Sequence, residues 1–502
     1  MTRAVAILVV VAACKDPTKY TVVTVDARPD VHGATTLKVT LSDESTSQTD
    51  NLDLGSNTFP TSFSVSAPGR SGDYTIAIDA VDGNDLLVGH GETAAMFGDA
   101  DDSVMLAGAD FVVNTDFAMN QFLSNDSLGN GFQLSATADG NWTATFRDDC
   151  NSPCNMFARR FDSTGLPVSS VLAAGTNNFP VSTTLTDFFS TPVVVASGEN
   201  TLALWNFDDQ PASTSGIACR PIDSTGSSID FERDFSTDPS TDTVSASPLS
   251  NGNFAVSWTS FMTTDVIRAA ILKPDCTVVA APVTVSPTGA SAFGSTVSVS
   301  GPNVLYSYLI GGALHVRTAN SVNSFTTADG LLLSPATGEA IVSARFAPLG
   351  TGWAMAVRSD SATSTTPPGR IDLYKISSTG GLMGSPILVT DKAGSDFAST
   401  YSFGMAARAD GVIMLVWHAC AENGDGNGCG VFGQIVSPTG ALVGTAFTVP
   451  TTTLLDQVSP SVTALSDSFV TAWSDSSGTA PDTSGQAVRA RIIYVAADGT
   501  VN

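Results

Sequence analysis

From about residue 120 onward the chain repeats one pattern, and the repeat limits what it can fold into more than any other feature. An apolar run ends in a bulky residue and a different residue follows it: Ala144-Thr145-Phe146-Arg147, Leu202-Ala203-Leu204-Trp205-Asn206, Ala255-Val256-Ser257-Trp258-Thr259, Leu305-Tyr306-Ser307-Tyr308, Met355-Ala356-Val357-Arg358, Leu415-Val416-Trp417-His418 and Val470-Thr471-Ala472-Trp473-Ser474. Taking Phe146, Trp205, Trp258, Tyr308, Val357, Trp417 and Trp473 as anchors, subtraction gives intervals of 59, 53, 50, 49, 60 and 56 residues. A fixed period of this size is the signature of a repeat architecture.

Each anchor follows another alternating segment and turn, such as Leu134-Ser135-Ala136-Thr137-Ala138-Asp139-Gly140 or Met405-Ala406-Ala407-Arg408-Ala409-Asp410-Gly411. After the anchor a second turn recurs: Asp162-Ser163-Thr164-Gly165, Asp223-Ser224-Thr225-Gly226, Ser377-Ser378-Thr379-Gly380, Ser437-Pro438-Thr439-Gly440 and Ala497-Asp498-Gly499. A short apolar strand comes next, as in Ile387-Leu388-Val389 and Ala446-Phe447-Thr448-Val449. Four strands per unit of about 50 residues, with no helical periodicity, describe the blade of a β-propeller. Seven units predict seven blades over residues 109–502 of an all-β chain. The pattern resembles bacterial propeller-like repeats, in which a strand ending in Trp is followed by a variable loop, a strand and an Asp-x-x-Gly turn. The resemblance covers about three quarters of the chain. The fourth copy departs most, with Tyr308 for Trp and no Gly turn near Asn320-Ser321. A stack of separate β-sandwiches is the alternative, although such domains usually need more residues per unit.

A propeller must close its ring or leave strand edges raw. The seventh unit reaches its last turn with no fourth strand after it, so another segment is expected to supply one. Asp110-Phe111-Val112-Val113-Asn114 has the outer-strand pattern and precedes the first unit. Ahead of it, residues 14–108 alternate with period two, as in Tyr20-Thr21-Val22-Val23-Thr24-Val25, Thr36-Leu37-Lys38-Val39-Thr40-Leu41 and Tyr74-Thr75-Ile76-Ala77-Ile78. About seven such strands predict an antiparallel β-sandwich. The stretch resembles the immunoglobulin-like or transthyretin-like modules that follow the lipid anchor of bacterial surface lipoproteins, which implies a stalk.

Residues 1–13 have the three regions of an export signal: a basic start at Arg3, an unbroken apolar run over 4–13, and small residues at the end. The run is about half the roughly 20 residues that a membrane-spanning helix needs. Val11-Ala12-Ala13-Cys14 resembles a bacterial lipobox. That resemblance implies a diacylglycerol thioether on Cys14, acylation of the new N-terminus and a stable membrane anchor. Lys15 after the cysteine favours sorting to the outer membrane or cell surface. An exported chain keeps disulfides. Cys150 with Cys154, and Cys420 with Cys429, are spaced to staple local loops, whereas spacing leaves open whether Cys219 and Cys276 pair.

Forty-eight acidic against 22 basic residues give a formal charge of −26. Such a chain repels phosphates, which excludes electrostatically driven nucleic-acid binding and leaves the N-terminal lipid as its membrane partner. No Gly-x-Ser-x-Gly, phosphate-cradling loop or His-Glu-x-x-His occurs, and His32, His90, His315 and His418 lie in separate segments. Ser135-Ala136-Thr137-Ala138-Asp139-Gly140-Asn141-Trp142 resembles the Asp-box of propeller sialidases with its Asp two residues late, and reads as a structural turn. Arg147 and Arg358 follow equivalent anchors and read as partners of carboxylates. In the loop between Cys420 and Cys429, the side chains of Asn423, Asp425 and Asn427, with Gly428 next, match the first half of an EF-hand calcium loop. Gln434 stands where the bidentate carboxylate belongs, so calcium would bind weakly and a disulfide-closed hairpin tip is the simpler reading. His418 with Cys420 and Cys429 forms a soft-metal trio only if those cysteines stay reduced. The expectation is therefore a lipid-anchored, non-enzymatic module that binds a glycan, peptide or protein on one propeller face and requires no cofactor, with Ca2+ the one candidate. The alternatives are a propeller glycosidase or polysaccharide lyase, and a purely structural envelope protein.

Overall fold

The structure is a computed structural model. It describes residues 20–43, 45–66, 73–96, 101–114, 121–122, 134–148, 156–168, 179–182, 188–189, 192–209, 214–223, 232–236, 244–261, 264–279, 281–361, 369–393, 403–420, 424–483 and 485–501. The described residues form strands and turns and contain no helix, hence none long and apolar enough to cross a membrane. The chain divides into two compact units, Met1–Phe111 and Val112–Asn502.

The first unit has seven strands. Alternation decides its core: Val23 and Val25, Leu37 and Val39, and Ile76 and Ile78 all point into one apolar cluster, while the residues between them stay partly exposed. The strand count agrees with expectation and the arrangement differs. The strands follow one continuous path rather than two separate sheets, and Tyr20–Ala27 runs parallel to Asp102–Gly108. The path curls into a half-barrel at a join of only two residue pairs, Gly89 with Gly108 and His90 with Ala107. A Cβ on Gly89 would press on Val31 and one on Gly108 on Asp30, so the two glycines make room for the turn that carries residues 30 and 31.

The second unit is a seven-bladed propeller of successive antiparallel sheets, with strands in sequence order in every blade but the last, whose fourth strand comes from ahead of the first blade. In the first two blades the inner strand is in two pieces. All seven anchors lie on the second strand of their blade and are buried. Trp258, for example, packs with Leu204 and Cys219 of the preceding blade. Replacing such a residue by Ala typically costs about 3–5 kcal/mol.

The turn after the third strand needs a residue at positive φ. Gly165, Gly380, Gly440 and Gly499 supply it at 84°, 86°, 76° and 91°. Gly380 and Gly499 also sit so close to the preceding blade that a Cβ would press on Thr318 and Val443. The fourth blade has the same turn without glycine. Asn323 takes φ 59°, and the Asn320 side chain accepts the amides of Val322 and Ser324, a role asparagine fills because it tolerates the left-handed region. In the third blade Cys276 takes that position at φ 64°. The Gly turn expected at residues 223–226 lies largely outside the described residues.

The ring is closed by the segment ahead of the first blade. Phe111–Val112 forms the fourth strand of the last blade, beside Ala487–Tyr494. The Val113 amide donates to the Val488 carbonyl at 2.7 Å, and the Val488 amide donates to Asn114 Oδ1 at 2.9 Å. The third blade does the same with its own residues: Val285 N–H donates to Ile267 O at 2.8 Å, and Ile267 N–H to Ser286 Oγ at 3.0 Å. An arginine from the next blade then donates to the valine carbonyl, Arg317 to Val285 and Arg159 to Val113. Arg220 and Arg491 repeat this on Val181 and Val449. Burial pushes the Arg159 guanidinium down to about 10, still fully charged at neutral pH.

Candidate functional site

In each blade the innermost strand runs into a tight turn that leads to the second strand. The last residues before these turns, 134–136, 194–196, 246–248, 297–299, 346–348, 405–407 and 462–464, line one cavity of about 260 Å³. All seven blades contribute, so this is the axial channel. Seven strands converging on an axis leave little room, and the lining is accordingly rich in Ala, Val, Ser and Pro. Among the described residues none that lines it is ionisable, and Ser135, Ser247, Ser298 and Thr463 bear the polar side chains. Ser247 Oγ already accepts the Val299 amide at 3.2 Å. Such a surface binds by exclusion of water and a few hydroxyl contacts.

The Asp-box-like segment is a turn at the edge of this channel. Thr137 Oγ1 donates to Asp139 Oδ1, the Asn141 amide donates to the same oxygen at 3.1 Å, and the buried Arg160 reaches both Thr137 and Asp139 at 3.0 and 3.4 Å. Partial burial works against the Asp139 charge. The Thr137 and Asn141 bonds, Arg160 and a side-chain hydrogen bond with Glu199 outweigh it and hold the carboxyl below its ordinary range.

Of the other residues singled out in the sequence, Cys14, Cys150, Cys154 and Asn423 lie outside the described residues. Cys420 and Cys429 are bonded, which removes the soft-metal trio, and Cys219 is bonded to Cys276. Asp425 Oδ1 accepts the Asn427 amide at 3.2 Å. Gln434 is buried on a strand and donates to the Val443 carbonyl, turned to its own sheet. Among the described residues no three His, Cys, Asp or Glu side chains converge as a metal set. Arg358 is buried and holds Asp360 through two bonds of 3.0 and 3.2 Å, the carboxylate pairing expected of it. His90 lies 2.6 Å from Asp79 in the first unit. His418 is wholly buried, and burial, reinforced by the Arg358 charge, pushes it down to about 3, so it is a neutral imidazole in the core.

Two polar clusters were not foreseen. In the fourth blade Tyr308 donates to Asp329, whose carboxylate also lies 3.3 Å from His315 Nδ1, and the Tyr308 and His315 rings are near-parallel at 6.0 Å. Burial and the Asp329 bond push the Tyr308 hydroxyl up, so it is a donor and not a phenolate. In the seventh blade Asp475 and Arg489 form a buried ion pair at 2.8 Å, which Gln457 and Ser477 complete. Apart from Ser477, the partners of the two aspartates lie 14 to 21 positions away, a range at which pattern alone does not show contact.

No protein-family model matches the chain, and no curated protein does. Among solved structures it is similar to the polysaccharide lyase Uly1, at 9% identity over 77% of this chain and 99% of that one with a TM-score of 0.48. It is similar to a protein of unknown function from Dyadobacter fermentans DSM 18053, at 8% identity over 78% and 99% with a TM-score of 0.45. A third is the β-propeller domain of the Trilobed protease from Pyrococcus furiosus, at 8% identity over 68% and 90% with a TM-score of 0.39. These likenesses assign no residue and no chemistry.

Proposed function

We propose that this chain is a cell-envelope protein, anchored at the outer membrane or cell surface by lipid on Cys14, whose propeller is a non-enzymatic binding module. The first unit serves as its stalk. The observation that carries this reading is the channel lining. Where a propeller glycosidase would place facing carboxylates about 5–10 Å apart, the described channel residues, the last three before each inner turn, are mostly Ala, Val, Ser and Pro. The ligand is a glycan, a peptide, a protein or a part of one. Nucleic acid is not among its partners, because the charge of −26 opposes it. No cofactor is needed, and a calcium ion on Asn423, Asp425 and Asn427 would tune only the loop tip. The purified chain should bind on a glycan array or pull-down panel and leave polysaccharides intact. Reproducible turnover of a polysaccharide would make it an enzyme, and silence in every binding assay would leave a structural envelope protein. The anchor is tested separately: Cys14→Ser should move the protein out of the membrane fraction and abolish fatty-acid labelling, and a mutant that stays in detergent-extractable membranes would refute the anchor.

A further inference from the structure

We infer that the mouth of the axial channel binds a small amphipathic cation: an aliphatic or aromatic group that enters the channel, carrying an ammonium or guanidinium that stays at the rim. This rests on the propeller being a binding module and names the chemistry of its ligand.

The channel fixes the apolar part. Its lining has no charged partner for an ion, so whatever enters must leave its charge outside. Its 260 Å³ is slightly below the range of drug-sized pockets. The ligand is thus a short chain or a single ring.

The rim fixes the sign of the head. Three residues after the last lining residue, each tight turn presents one residue at the channel edge. In the sixth, seventh, first and second blades, which are consecutive around the ring, these residues are Asp410, Asp467, Asp139 and Glu199. All four are exposed. The other three blades place Asn251, Pro302 and Thr351 there. Half of the mouth is therefore acidic and half neutral. Two of the carboxylates are already answered, Asp139 by Arg160 and Asp410 by Arg408. Four acidic side chains against two guanidiniums leave the acidic side net negative. Exposed charge pairs are individually modest, so the head contributes selectivity and the channel contributes the body of the affinity.

The test uses three probes of one shape and different heads, octylammonium, octanol and octanoate, titrated calorimetrically into the full chain. Octylammonium should bind about tenfold more tightly than octanol, with octanoate at least tenfold weaker than octanol, and raised salt should erase the ammonium advantage. Replacing both Glu199→Gln and Asp467→Asn should bring octylammonium to the affinity of octanol. Ala464→Leu, which narrows the throat, should weaken both at least tenfold while the melting temperature stays near that of the parent. If Ala464→Leu does not fold, nuclear Overhauser contacts from the octyl methylenes to the Val195 and Val462 methyls report the same occupancy in the unaltered chain. Equal affinity for all three heads, undiminished binding by Ala464→Leu, or no binding of any probe would each overturn the inference. A glycan or protein ligand that Ala464→Leu still binds would leave the binding module standing while this site falls, whereas polysaccharide turnover would remove the module reading itself.

Discussion

Two junctions of the ring are held by different means. Between the second and third blades the chain is continuous and a disulfide adds to it: Cys219 on a third strand is bonded to Cys276 in the next blade's turn, inside an apolar cluster that contains Trp258. Between the seventh and first blades no such bond exists among the described residues. Residues 111–114 are held by backbone pairing, by Asn114 donating to Asp482 at 2.9 Å, and by Arg159 donating to the Val113 carbonyl. The Asp475–Arg489 pair stiffens the strands beside them. The first junction is stabilised mainly by limiting the unfolded chain, the second by polar groups that are expensive only when a partner is lost.

That contrast orders the expected effects. Arg489→Met should be the most damaging, because it leaves Asp475 buried without its cation. Burial already pushes the Asp475 carboxyl up against the bonds from Ser477, Arg489 and Gln457. A loss of about 3–5 kcal/mol is expected in denaturant unfolding, together with new dimers in size exclusion as the closing edge frees. Intact stability would show that the clasp carries nothing. Removing the other staple with paired Cys219→Ser and Cys276→Ser should cost about 2–4 kcal/mol without opening the ring, so the protein should melt earlier yet elute as a monomer.

The junction of the fifth and sixth blades offers a third regime, since His418 lies there beside Arg358. Its folded pKa is depressed to about 3, below the ordinary 6.5. The unfolded chain therefore binds a proton that the folded chain refuses across that window. This contribution is fully present above pH 6.5 and is lost as pH falls toward 3, at up to about 1.4 kcal/mol per pH unit. His418→Asn should flatten the acid limb of a stability–pH curve by that slope, and an unchanged limb would place the acid sensitivity elsewhere. Gly380→Ala should show the smallest effect, about 1–2 kcal/mol for a non-glycine residue at φ 86°, read as a small shift in thermal midpoint.

The repeat was legible because one blade reuses the same local devices: a large residue closing the second strand, a residue with positive φ in the next turn. Where the device changed chemistry and kept its geometry, the pattern was obscured. Asn320 and Asn323 build the fourth blade's turn as well as a glycine would, and Cys276 does so in the third. Contacts between blades were less accessible. Arg159, Arg220, Arg317 and Arg491 sit at one position of the third strand in four of seven units, and only the fold reveals that each donates to a valine carbonyl of its neighbour. The same holds for the channel. Ala136, Ala407 and Ala464 read in sequence as ordinary strand residues, and only ring closure turns them into the wall of a site.

Closure is thus the premise on which the channel, its rim and the binding proposal all depend, and amide hydrogen exchange at three equivalent valines tests it most directly. Val285 and Val449 donate to Ile267 and Val431 within single blades, and Val113 donates to Val488 across the ring closure. A closed ring predicts that the Val113 amide is protected to within about tenfold of the other two, since all three then open with the same packed strands. A Val113 amide that exchanges like an exposed loop while Val285 and Val449 remain protected would contradict the closed seven-bladed ring.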